Sequence, residues 1–95
     1  MILSYFLRRR ELEKALNLFY KSEFRNILID RYIRTADGTY LLFKKPIYAD
    51  GSDLYRHYIV EKDGEVYPGC PMLNRFNLLI IKKIPDGLLK RALYI

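Results

Sequence analysis

The chain has 95 residues, 51% of them hydrophobic and 15% aromatic, with 17 Lys and Arg against 11 Asp and Glu. That length and apolar content exclude a disordered chain and predict one domain over residues 1–95. A single cysteine excludes an internal disulfide, and the longest apolar runs fall far short of the ~20 residues that cross a membrane. The first residues are apolar before they are basic, the reverse of a secretory signal, so we expect a cytoplasmic protein without membrane contact.

The net charge of +6 lies at the two ends of the chain. Residues 1–25 hold six Lys and Arg against three Glu, residues 26–74 sum to −1, and residues 75–95 hold five Lys and Arg against one Asp. Several acidic residues of the middle fall at expected turns, where a carboxylate caps backbone N–H groups. Basic terminal segments favour polyanionic partners, although the same charge also keeps a small protein in solution.

The N-terminal segment is predicted as a helix that begins at Ser4 or Arg8 and ends at Lys21. Apolar side chains recur there at helical spacing, which predicts a helix lying across one face of a sheet. The apolar stripe consists of Tyr5, Leu12, Ala15, Leu16 and Phe19. Arg8 falls inside this stripe, so either its guanidinium reaches past the apolar stem to solvent or the helix begins after it. We favour the longer helix.

An Asp-Gly pair recurs every thirteen residues, at 37–38, 50–51 and 63–64. Asp-Gly takes the positive φ angles that hairpin turns require, and each interval has room for one strand and one turn. Parallel strands would need longer crossovers, so the spacing predicts an antiparallel meander. At a fourth pair, 86–87, Asp86 is expected to cap a short C-terminal helix, with a final strand as the alternative.

Strands are predicted between these turns, over residues 26–34, 40–45, 54–62, 65–67 and 76–84. Alternation places Ile27, Ile29 and Ile33 on one face of the first strand, with Tyr32 and Arg34 on the other. The last strand is the most apolar and is expected to be central. The fold class is therefore α+β: an N-terminal helix packed on an antiparallel β-meander of four to five strands, with a short C-terminal helix.

The sequence carries no catalytic, cofactor or metal signature. His57 is the only histidine, and acid–base or nucleophilic catalysis needs a second positioned group, so we expect it to be structural or solvent-facing. Cys70 lies in a Pro-Gly-Cys-Pro segment without a neighbouring histidine or second cysteine, which favours an inert thiol. One Cys and one His cannot complete a tetrahedral zinc site without two carboxylates. We expect no cofactor, no bound metal and no catalytic residue.

Basic and tyrosine-rich positions are the candidate binding residues. The cluster Arg8-Arg9-Arg10 fans around a helix, where pairing with nearby glutamates as a solvated face competes with phosphate contact. Six of the nine tyrosines lie on or beside predicted strands, interleaved with cations: Tyr32, Tyr40, Tyr48, Tyr55, Tyr58 and Tyr67. Aromatics beside cations bind single-stranded nucleic acid, although sheet packing and protein interfaces use the same residues. The candidate nucleic-acid-binding residues are Arg8, Arg9, Arg10, Arg34, Lys44, Lys45, Tyr55, Arg56, Tyr58, Lys82 and Lys83.

Three functions are compatible with these features. The first is a small non-enzymatic binding module whose partner is nucleic acid or a nucleic-acid-processing protein complex. The second is a protein-binding adaptor or inhibitor, of the kind that a virus or mobile element encodes, acting through a sheet edge or a tyrosine face. The third is a small metal-independent nuclease that uses His57 with Tyr and Arg side chains. Homo-oligomerisation fits the first two, because small domains often cover apolar surface and sheet edges in that way.

Overall fold

The structure is a computed structural model that describes residues 2–45, 56–69 and 81–93. Within these residues it contains α1 (Ile2–Lys21), β1 (Ile29–Arg34), β2 (Tyr40–Lys44), β3 (His57–Val60), β4 (Val66–Pro68), β5 (Lys82–Lys83) and α2 (Asp86–Leu93). The longer of the two predicted N-terminal helices is therefore the one observed. Neither described helix is long and apolar enough to cross a membrane.

The strands form one antiparallel sheet in the order β4-β3-β2-β1-β5. Strands β1 to β4 follow one another as a meander, and β5 returns to pair with the outer side of β1. The α+β class, with its N-terminal helix, antiparallel meander and short C-terminal helix, is confirmed.

The segment 76–84 was expected to form a central strand, and for its described part this expectation is wrong. Lys82–Lys83 stands at the end of the strand order, while residues 76–80 lie outside the described residues. Ile84, directly after β5, is 1% exposed and lies in a core shared with both helices. An apolar side chain beside an edge strand can therefore be buried by the helices, without a neighbouring strand on each side.

Two of the three predicted hairpins are observed, and the third, at 50–51, lies outside the described residues. Gly38 and Gly64 take φ angles of 90° and 100°, a region that glycine enters without a Cβ clash. In each turn the aspartate accepts a hydrogen bond from the backbone N–H two residues later, with an N···O distance of 3.1 Å. Asp37 and Asp63 thus close their turns, as the sequence predicts.

Leu12, Ala15, Leu16 and Phe19 of α1 pack on one face of the sheet, and α2 completes the core. The buried cluster consists of Leu12, Ala15, Leu16, Phe19, Ile29, Tyr40, Leu42, Val60, Ile84, Leu88 and Ala92. A large apolar side chain taken out of water contributes about 1.5–3 kcal/mol, so this cluster is the main source of stability in the described residues. Both described helices contribute to it.

An irregular register in β1 changes which of its side chains face the core. The pairing of β1 with β2 shifts between Ile29 and Arg31, as at a β-bulge. Ile29 lies in the core, and Tyr32 packs against the same cluster. The expectation that Ile29 and Tyr32 face opposite sides is therefore wrong, because the extra residue of the bulge reverses the alternation between them. The strand also begins at Ile29, three residues later than expected.

The start of α2 differs in detail from the expected cap. The carbonyl of Pro85 accepts hydrogen bonds from the N–H groups of Leu88 and Leu89, each at 3.1 Å, so Pro85 is the N-cap residue. Asp86 instead lies in the first turn, where its carboxylate faces the positive end of the helix dipole. Near the other end, Arg91 forms an ion pair with Glu13 of α1, with Nη2 and Oε1 2.7 Å apart, and so joins the two helices.

Candidate functional site

A cavity of about 450 Å³ opens where α1, the sheet and the start of α2 meet. We call it the basic cleft; it is lined by Arg8, Arg9, Leu12, Tyr32, Arg34, Tyr40, Lys82, Pro85 and Leu88. Four of these residues are cations and two are tyrosines, and among the described residues no Asp or Glu lines it. A concave site of this size with convergent polar groups is typical of ligand binding, and its charge favours an anion.

The register of α1 brings Arg8 and Arg9 to the cleft. Leu12 is 3% exposed and lies four residues after Arg8 and three after Arg9, so the three side chains share one side of the helix. The packing of Leu12 therefore fixes the turn that carries both arginines. Arg8 interrupts the apolar stripe because α1 faces the open cleft, and not the sheet, at that turn.

The sheet brings a tyrosine and a lysine to the same wall. Tyr32 of β1 and Lys82 of β5 are directly paired in the antiparallel register. Directly paired side chains stand on the same face with Cβ atoms about 5 Å apart. An aromatic ring and an ammonium group that are fifty positions apart in the sequence thus become neighbours in the cleft.

Arg34 and Tyr40, which line the cleft, share a hydrogen-bond partner, Glu11, which is not among the lining residues. Nε of Arg34 donates a hydrogen bond to Oε1 of Glu11 at 2.5 Å, and the Tyr40 hydroxyl also hydrogen-bonds this carboxylate. The hydrogen bond from Arg34 holds the pKa of Glu11 below its ordinary value, and burial, followed by the bond to Glu11, raises the pKa of Tyr40. Because Glu11 compensates Arg34, this arginine adds little to the net positive charge of the cleft.

Tyr32 supplies the accessible aromatic surface. Its ring centroid lies 6.0 Å from that of Tyr40, with 37° between the ring planes. Tyr40 is 3% exposed and belongs to the core, whereas Tyr32 is half-buried and lines the cleft. The sequence identifies both residues only as strand tyrosines. The signal that would have selected Tyr32 is its pairing with Lys82, which no local pattern reveals.

Four of the predicted binding residues come together in the basic cleft: Arg8, Arg9, Arg34 and Lys82. Arg10 is exposed on α1 but is not among the lining residues. Lys45 and Lys83 line a separate cavity of about 350 Å³ together with Asp30 and Asp86.

The remaining predicted residues lie elsewhere. Lys44 ends β2, and its N–H donates to the carbonyl of Arg56 at 3.2 Å, so these two cations flank the junction of β2 and β3. Tyr55 lies outside the described residues. Tyr58 packs beneath α1, with its ring centroid 5.5 Å from that of Phe19 and 4.9 Å from that of Phe24. Tyr58 is therefore a packing residue of the core side of the sheet.

His57 is buried on the other face of the sheet. It is 6% exposed, and its ring centroid lies 5.4 Å from that of Phe43. A Cβ added at Gly69 would stand 2.1 Å from Nε2 of His57, so this glycine permits the close approach of the backbone to the imidazole. The structure does not bring His57 to the basic cleft.

A second polar cluster lies on the same face as His57. We call it the Tyr67 groove; it has a volume of about 430 Å³ and is lined by Thr35, Ala36, Asp37, Thr39, Leu41, Ile59, Glu61 and Tyr67. The Tyr67 hydroxyl donates to Oε1 of Glu61, and the Thr39 hydroxyl donates to Oε2 at 3.3 Å. The bond to Glu61 raises the pKa of Tyr67 to about 12.

Metal ligation has no support in the described part of the chain. There, no three His, Cys, Asp or Glu side chains are grouped so that they could hold a metal ion. Comparisons of the chain with protein-family models, curated proteins and solved structures found no match. Function is therefore inferred from the residues that line the basic cleft.

Proposed function

We propose that this chain is a small non-enzymatic binding module that holds single-stranded nucleic acid in the basic cleft. Phosphate groups contact Arg8, Arg9 and Lys82, and a base stacks on Tyr32. The observation that carries the proposal is the convergence of these cations and one tyrosine on a single cavity, without a lining carboxylate among the described residues. Cations that bind the backbone and aromatic rings that stack bases are the two components of single-strand binding.

A single strand fits the cleft better than a duplex. Stacking on Tyr32 requires the face of a base, and bases in a duplex are already stacked on their neighbours. Tyr32 is half-buried in a concave wall, so a base must enter the cleft to reach it. A duplex would contact only the exposed cations at the rim.

Fewer residues take part in the proposed binding than the sequence predicts. Tyr58 is occupied by packing against Phe19 and Phe24, so Tyr32 takes the stacking role. Lys45 and Lys83 belong to a different cavity that also contains two aspartates, which lowers its attraction for phosphate.

A protein partner is the second candidate, and the Tyr67 groove favours it. Leu41, Ile59 and Tyr67 form a partly exposed apolar and aromatic surface beside the Glu61 carboxylate. Aromatic residues with a polar rim are typical of protein interfaces. A nucleic-acid-processing complex or a second copy of the chain would dock there without blocking the basic cleft.

Fluorescence anisotropy of labelled single and double strands tests the proposed function. We expect Lys82→Ala and Arg8→Ala to weaken single-strand binding and to lower the slope of log K against log salt by about one unit each. Arg10→Ala is the matched control, since it removes the same charge from the same helix outside the cleft. Single-strand binding weaker than about 100 μM at physiological salt, or equal effects of Arg8→Ala and Arg10→Ala, would contradict the proposal.

A further inference from the structure

The cations of the basic cleft surround one cavity and do not form a continuous track across the surface. Arg8 belongs to α1 and Lys82 to β5, and both line the same cavity. A module that grips the middle of a strand spreads its cations along a groove that tracks the backbone. Here the predicted cations outside the cleft lie on other parts of the fold, and Lys45 and Lys83 share their cavity with carboxylates.

The inner side of the cleft is closed. Leu12 and Leu88, which line it, are 3% and 0% exposed and belong to the core between the two helices. A polynucleotide cannot pass through packed core side chains, so a strand either lies across the mouth of the cleft or ends against its floor. An end against the floor places the terminal nucleotide beside the lining cations and Tyr32.

The charge of the cleft suits a phosphate with two negative charges. A phosphate monoester carries about −1.5 to −2 near neutral pH, whereas each phosphodiester within a strand carries −1. Arg34 is compensated by Glu11, but Arg8 and Lys82 approach from different walls and no Asp or Glu is among the described lining residues. The first turn of α2 borders the cleft at Pro85 and Leu88, and its dipole adds positive potential on that side.

The pairing of Tyr32 with Lys82 matches one nucleotide. The two side chains stand on the same face at directly opposite positions of β1 and β5. The ammonium group can therefore hold a phosphate while the neighbouring ring stacks the base of the same nucleotide.

From these relationships we infer that the basic cleft recognises the phosphorylated end of a single strand. The terminal phosphate monoester binds between Arg8 and Lys82, and the terminal base stacks on Tyr32. This inference rests on the proposed single-strand binding and adds to it the part of the strand that is bound.

Strands that differ only at their ends test the inference. The four strands carry a 5′-phosphate, a 3′-phosphate, no terminal phosphate, or a 5′-phosphate methyl ester, and each has its fluorophore in the middle. We expect one of the two monoester strands to bind about ten- to a hundredfold more tightly than the unphosphorylated strand, the factor that one charge-assisted hydrogen bond contributes. The 5′ and 3′ strands decide which end is recognised. If it is the 5′ end, the methyl ester, a diester with a single charge, should lose most of the gain; for a 3′ end the corresponding 3′ ester replaces it.

Variants distinguish end recognition from single-strand binding in general. Arg8→Ala and Lys82→Ala should reduce the preference for the monoester end, while Arg10→Ala should retain it. Equal affinity for all four strands, combined with weaker binding by Arg8→Ala, would overturn end recognition and leave the proposed function intact. If no strand binds more tightly than about 100 μM, both fail.

Discussion

Arg34 of β1 donates from Nε to Oε1 of Glu11 in α1 across 2.5 Å, although the two residues are 23 positions apart in the chain. The contact joins the helix to the sheet beside the basic cleft, which Arg34 lines and Glu11 does not. It also compensates the charge of Arg34, so that Arg34 adds little to the positive potential of the cleft. One ion pair thus serves both the fold and the chemistry of the site.

Removing the Glu11 carboxylate should produce a stability loss that depends on pH. The hydrogen bond from Arg34 lowers the pKa of Glu11 below its ordinary value of 4.5. The stabilisation is therefore present above about pH 4.5 and is lost as the pH falls through the lowered pKa of the folded state. The Glu11 side chain is 37% exposed, so solvent screening limits the expected loss in Glu11→Gln to about 0.5–1 kcal/mol.

Urea unfolding of the parent protein and Glu11→Gln at neutral pH and at about pH 3 measures this difference. Glu23→Gln, at an exposed position just after α1, is the control and should change little. A loss in Glu11→Gln that is the same at both pH values would show that the ion pair contributes nothing.

Substitution of Tyr58 should mainly lower stability, whereas substitution of Tyr32 should mainly weaken strand binding. Tyr58→Ala removes a ring that packs on Phe19 and Phe24, and we expect it to lower the free energy of unfolding by about 2–4 kcal/mol. Tyr32→Ala should instead weaken strand binding by about 1–3 kcal/mol, the contribution of one stacked base. Tyr58→Phe keeps the ring and should leave both quantities nearly unchanged. Strand binding that is lost in folded Tyr58→Phe would contradict these roles.

Gly69 and His57 should show strong energetic coupling. A methyl group at position 69 would stand 2.1 Å from Nε2 of His57, so Gly69→Ala should cost about 1–3 kcal/mol through overpacking. In a His57→Ala background the imidazole is absent, and the same change at 69 should cost much less. A double-mutant cycle of unfolding free energies measures the coupling, and additive effects of the two substitutions would contradict the packing described.

Tyr67 should ionise at a higher pH than an ordinary tyrosine. Its hydrogen bond to the Glu61 carboxylate raises its pKa to about 12, because the carboxylate accepts a bond from the neutral phenol and repels the phenolate. Absorbance of tyrosinate during an alkaline titration should show a component near pH 12 that is absent in Tyr67→Phe, while the contribution of Tyr40, whose pKa is also raised, remains. In Glu61→Gln this component should move towards 10, the ordinary value. A Tyr67 that titrates near its ordinary value in the parent protein would show that the bond is not maintained.

The features that the sequence predicts correctly are local ones. Gly38 and Gly64 can be identified as turn residues because a turn depends on a few consecutive residues and on the absence of a Cβ. The buried stripe of α1 is predicted because its spacing repeats every turn of the helix. Both patterns remain visible without knowledge of which elements are neighbours in the folded chain.

The features that the sequence misses depend on distant pairing. The bulge after Ile29 reverses the faces of β1, and no local signal marks it. The neighbours Tyr32 and Lys82 meet only because β5 returns to the outer side of β1. Charge counting identified Arg8, Arg9, Arg34 and Lys82 among eleven candidates but could not separate them from Lys45 or Arg10. The position of the helix over the sheet makes that distinction.

Backbone amide shifts in NMR spectra, recorded while an unlabelled single strand is added, locate the binding surface most directly. We expect the largest shifts to fall on Arg8, Arg9, Tyr32, Lys82 and the first turn of α2, and to be smaller in Lys82→Ala at the same strand concentration. Shifts concentrated instead on Leu41, Ile59 and Tyr67 would assign binding to the Tyr67 groove on the opposite face of the sheet, and would contradict the role proposed for the basic cleft.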